Sequence, residues 1–123
     1  MASSGTDLLD AFRTAVRAKI QRDLDAEAER ARTLRAEVLP RVEEATASAR
    51  LQELCSRVWL FGSYAWGQPS ERSDVDLLVE ACSDPFRFAG LVATACGRDV
   101  HAIELERAPE GLRQRVLAEG TLL

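Results

Sequence analysis

Two stretches decide the fold: Val58-Trp59-Leu60-Phe61-Gly62-Ser63-Tyr64-Ala65-Trp66-Gly67, and then Ser73-Asp74-Val75-Asp76-Leu77-Leu78-Val79-Glu80, with ten residues between Ser63 and Asp74. Each contains an apolar run of strand length, and the first run ends at the Gly62-Ser63 pair. In a strand, residues two apart share a face, so Asp74 and Asp76 project side by side. Two carboxylates held that close repel each other and favour a cation between them. Magnesium is the matching ion, since it is hard, takes oxygen ligands and is held by one or two carboxylates with phosphates and waters completing its shell. Gly62 permits close backbone approach at the turn, and Ser63 offers a hydroxyl and an amide to an anion.

These residues resemble the minimal nucleotidyltransferase branch of the DNA polymerase beta superfamily, of the MntA-like antitoxin type. The match runs over Leu51 to Leu123. The resemblance implies that Gly62 and Ser63, with Ser73, bind the triphosphate of a nucleotide, and that Asp74 and Asp76 hold the metal that rides on it, Mg2+ or Mn2+. It implies transfer of a nucleoside monophosphate, AMP from ATP or another nucleoside triphosphate, to a hydroxyl. It also implies a helical HEPN partner, a ribonuclease toxin that such an antitoxin adenylylates or masks.

Two positions depart from the family pattern. Trp66 stands where an arginine is frequent. His101, the only histidine of the chain, stands where the third carboxylate is expected. Along Asp99-Val100-His101-Ala102-Ile103-Glu104, period two places Asp99 on the face of His101 but about 6.6 Å away along the strand. A neutral imidazole accepts a proton or ligates manganese, yet it is a poor magnesium ligand. His101 therefore has two readings beside Asp74 and Asp76: an altered catalytic group, or the mark of a pseudo-nucleotidyltransferase that binds a protein and transfers nothing.

Composition narrows the alternatives. The 123 residues make a single core without room for a separate substrate domain. A net charge of −4 and a pI near 5.1 argue against strong nonspecific binding to nucleic acid. Cys55, Cys82 and Cys96 have no metal-type spacing and fit a reduced, cytoplasmic setting as small packing residues. Charges interrupt every apolar run, so no membrane span is expected.

The remaining pattern predicts an α/β (α+β) fold: a small mixed sheet covered by helices, with a long helical extension over residues 1–50 before a minimal nucleotidyltransferase domain over 51–123. Residues 7–39 lack glycine and proline, and Leu9, Phe12, Val16, Ile20 and Leu24 trace one helical face. Pro40 predicts a break or kink, followed by a second helix over 41–55. Strands are expected at 57–61, 75–80 and 99–104. Helices are expected from Pro85 to Cys96, capped by Asp84 and closed by Gly97, and from Glu110 to Glu119. The excess length of the first helix points to association, either as a homodimer through paired helices or with another protein.

Overall fold

The computed structural model describes residues 4–123, with side chains described from Asp7 onward. Helix α1 spans Ser4–Leu51, and strand β1 (Val58–Phe61) follows. A single turn of helix, α2 (Ser63–Trp66), leads to β2 (Val75–Val79), α3 (Pro85–Cys96) and β3 (Val100–Glu104). A 3₁₀ turn at Leu105–Arg107, α4 (Glu110–Glu119) and β4 (Thr121–Leu122) complete the chain. The expected mixed sheet is present, with order β3-β2-β1-β4. β1 is antiparallel to both its neighbours, and β2 and β3 are parallel across the α3 crossover.

Strand periodicity divides the core. Val58, Leu60, Val75, Leu77 and Val79 face α1 and α3, where they meet Leu34, Val38, Val42, Phe88 and Val92. Trp59, Phe61 and Leu78 face the other way, against Val116 of α4 and Ala108. Each fully buried side chain of this kind contributes roughly 1.5–3 kcal/mol. α3 has the predicted ends: the Asp84 side chain accepts from the Arg87 N–H at 3.1 Å, Pro85 begins the helix, and Gly97 closes it in the left-handed region at φ 69°.

Of the expected break or kink at Pro40, the break is absent: no separate helix begins at Arg41, and α1 runs through the proline to Leu51. A proline inside a helix costs about 3 kcal/mol. Val38 and Val42, on either side of it, are both buried, and their packing holds the helix continuous. Its 48 residues make it about 72 Å long. Leu9, Ile20, Ala31 and Val42 recur every eleven residues, very nearly three turns. The buried seam of the second half therefore continues straight up the first half, where nothing covers it: Leu8, Leu9, Phe12, Val16, Ile20 and Leu24 are all exposed. Among the described residues, no helix is long and apolar enough to cross a membrane.

Candidate functional site

The sheet register brings the sequence-selected residues together. Phe61 pairs with Asp76 across β1 and β2, and Asp76 pairs with His101 across β2 and β3. One transverse row of the sheet thus reads Phe61, Asp76, His101, on the face that carries α4. The neighbouring row on that face, Trp59, Leu78 and Ile103, is apolar and floors the site. Val75 and Leu77 point into the opposite core, which turns Asp74 and Asp76 to the site side.

Gly62 sits beside Asp76 with φ 74°, and a β-carbon there would fall inside van der Waals contact with Oδ2 of Asp76. Two independent requirements thus select glycine: a backbone conformation that L side chains rarely adopt, and the absence of any side chain against the carboxylate. The Gly62 carbonyl accepts from the N–H groups of Ala65 and Trp66 at 3.0 Å, which fixes the turn containing Ser63. The glycine-serine turn and the carboxylate are consequently one unit.

Burial pushes the Asp76 carboxyl above the usual carboxylate range; the charge of Asp74 adds to this and His101 opposes it. His101 Nδ1 lies 3.7 Å from Asp76 Oδ1, with the histidine largely exposed and the aspartate mostly covered. Asp99 does not stand in for a third carboxylate. Its carbonyl accepts from the Val75 N–H at 2.9 Å, which places it level with Asp74, one row beyond His101. Among the described residues, no group of three metal-ligating side chains gathers. The pair fits an ion that brings its other ligands along: Asp76 bears an unfavourable charge next to Asp74, and Gly62 has no side chain to displace its carboxylate.

Ser73 lies at the exit of the loop. Its hydroxyl accepts from the Ser70 N–H at 2.8 Å, and its own N–H donates to the Ser70 carbonyl at 3.0 Å. It braces the loop that presents Asp74. Two arginines absent from the sequence reading hold the same loop from outside. Arg35 of α1 donates to the Gly67 carbonyl, and Arg98 donates to the Glu71 carbonyl at 2.7 Å. Their targets are backbone groups 32 and 27 residues away, so no local pattern marks them. Tyr64, although next to the glycine-serine turn, takes no part in the site: it is buried in the core beneath α1 with 1% of its surface exposed. Trp66 faces α4, where the Arg115 guanidinium covers its ring at 4.1 Å. A cation is thus supplied from α4 beside the position where the resemblance leads one to expect an arginine.

Comparison with known proteins follows the same lines. The family model for "Polymerase beta, Nucleotidyltransferase" matches residues 43–123. Among solved structures, the chain is similar to one provisionally described as a minimal nucleotidyltransferase, at 31% identity and TM-score 0.60, over 75% of this chain and 94% of that one. It is also similar to a chain of a toxin-antitoxin structure with AMP-PNP, at 26% identity and TM-score 0.55, over 65% and 70% of the two chains. It shares its fold with a chain of the complex between a tri-AMPylated Shewanella oneidensis HEPN toxin and an MNT antitoxin, at 24% identity and TM-score 0.51, over 68% and 69%. No curated protein matches.

Proposed function

The chain belongs to the polymerase beta nucleotidyltransferase family, and from that membership we propose that it transfers AMP from ATP to a hydroxyl on a helical HEPN-type partner in the cytoplasm, as an antitoxin acting on its toxin. The observation that carries this reading is the fit of Gly62 against Asp76, because it joins a phosphate-accepting turn to a cation-seeking carboxylate. The related structures with AMP-PNP and with an AMPylated HEPN toxin support the nucleotide and the partner.

In this reading Gly62 and Ser63 receive the phosphates through backbone and hydroxyl groups, while Ser73 keeps the loop of Asp74 in register. Asp74 and Asp76 are the residues that would hold Mg2+, or Mn2+, with the triphosphate supplying further oxygen ligands. When bound, the ion neutralises phosphate charge and polarises the α-phosphate. His101, with its Nδ1 3.7 Å from Asp76 Oδ1, would take the proton of the acceptor hydroxyl, the Asp76 carboxylate facing the charge that results. Most of the rate then comes from holding hydroxyl and α-phosphate in line. The exposed apolar side chains of α1, from Leu8 to Leu24, dock the helical partner; pairing with a second copy is the competing outcome.

A second reading has its own support: with no third carboxylate gathered at the pair among the described residues, the chain masks its partner without transferring nucleotide. Labelled ATP, incubated with a HEPN-type partner and either Mg2+ or Mn2+, separates the two. The transferase reading expects wild-type protein to label the partner and Asp76→Asn to fail. Labelling gained only by His101→Asp supports the masking reading, and an absence of label in every variant removes transfer altogether.

A further inference from the structure

The three cysteines are free thiols in this structure. Cys96 lies at the end of α3, its thiol directed to the carbonyls of Ala93 and Arg98. The other two meet at the end of the sheet away from the carboxylates. The β1–β2 register pairs Val58 with Val79. Beyond it the Ser56 N–H donates to the Glu80 carbonyl at 2.9 Å, and the Ser83 N–H donates to the Leu54 carbonyl at 3.0 Å. The Glu80 N–H also donates to the Arg57 carbonyl at 2.8 Å, so Ser56 and Arg57 both oppose Glu80 and the ladder is irregular here, with Ala81 at φ 51°; the bonds at Glu80 and Ser83 nevertheless tie the two segments on both sides of Cys55 and Cys82. Both side chains turn to the same core: Cys55 is buried in it and Cys82 packs half-buried against it. The two thiols are neighbours, since Cys82 raises the pKa of Cys55, and a disulfide between them requires Cα atoms roughly 4.4–6.8 Å apart.

We propose that Cys55 and Cys82 are a redox-modification site, closing to an intrachain disulfide by exchange with a low-molecular-weight disulfide of the glutathione type. An open cleft lined by Arg50, Leu51, Ser56 and Ala81 reaches Cys55 from one side, while Cys82 is partly exposed outside that cleft. Cys82 is the less buried residue of the pair. It loses its proton to solvent, attacks one sulfur of the reagent and releases one thiolate, leaving a mixed disulfide. The Cys55 sulfur, deprotonated in turn, attacks Cys82 and expels the second thiolate. One small disulfide is reduced to two thiols, the cysteine pair is oxidised, and the two protons released end on the leaving thiolates. Burial pushes both thiols up. At Cys82 the carboxylates of Glu104, Asp84 and Glu106 push further, opposed by a backbone hydrogen bond at Asp84; at Cys55 the neighbouring Cys82 pushes further and Arg50 opposes. Exchange is consequently slow at neutral pH and accelerates as pH rises. The bond encloses the segment 55–82, which contains Gly62, Ser63, Asp74 and Asp76.

The test uses the full chain, oxidised glutathione without oxygen, and a neutral-to-alkaline pH series. Thiols are counted after denaturation, with intact mass and peptide mapping. The expected result is a fall from the three thiols of the reduced chain to one, loss of two hydrogens in mass, no glutathione retained, and a peptide linking Cys55 to Cys82. Cys96→Ala forms the same link, whereas Cys55→Ala and Cys82→Ala do not. Three thiols surviving at every pH, a stable glutathione adduct, or a link through Cys96 or between chains overturns the proposal; the wild-type peptide map decides even if a variant fails to fold.

Discussion

Gly62 makes its contribution through the side chain it lacks. Gly62→Ala forces a β-carbon against Asp76 at φ 74°, so the variant is expected to lose about 2 kcal/mol of stability, read by urea denaturation. Gly62→Ala combined with Asp76→Ala should recover part of that loss, because the two positions share one contact. Asp76 adds a pH dependence whose sign follows from its raised pKa. A carboxyl whose folded pKa exceeds its unfolded value contributes stability below the ordinary aspartate range and loses it as pH rises through the folded value. At neutral pH without metal, Asp76→Asn should therefore melt higher than wild type, and the advantage should vanish in acid below that range; thermal melts across pH check it. These residues were legible because a spacing of two fixes a common face and a glycine-serine turn at the end of an apolar run is a local signal. Arg35, Arg98 and Arg115 were not, since each acts on a group distant in sequence.

Among the elements, the strands and α3 followed from alternation, caps and breakers that lie next to one another in the chain. Pro40 misled because its penalty is local while the force that overrides it, the burial of Val38 and Val42, comes from the sheet and α3. Pro40→Ala, which restores the missing backbone hydrogen bond, should stabilise the protein by about 2 kcal/mol after allowing for the freer unfolded chain, measured by chemical denaturation. Strand β4 escaped notice for another reason. It is only Thr121–Leu122, it pairs with Trp59 and Leu60, and two residues carry no periodicity. The Leu123 N–H still donates to the Val58 carbonyl at 2.9 Å, and Arg50 donates to the Leu123 carbonyl at 2.7 Å, so the chain end finishes the sheet against α1.

At the scale of the whole molecule, a helix too long for its domain was legible in the run of residues 7–39 without glycine or proline, but the division within that helix belongs to tertiary structure. Ala31, Leu34, Val38, Val42 and Ala49 are core residues, whereas the six exposed apolar side chains above them have no partner within the described chain. Deleting residues 1–24 should leave thermal stability nearly unchanged and weaken binding of a HEPN-type partner at least about tenfold, read by calorimetry; loss of a homodimer in sedimentation would identify a second copy as the occupant instead. Because α1 is continuous and Arg35 grips the Gly67 carbonyl shortly after the glycine-serine turn, the helix sets the spacing between the arm and the site. Val16 and Arg35 stand about 28 Å apart along its axis. Under the proposed transfer, whatever seats on the arm would have its reach to the carboxylates set by the helix, so a hydroxyl at the matching span would be the one presented, and inserting or removing one helical turn between the two would misalign the pair without touching a single reacting group.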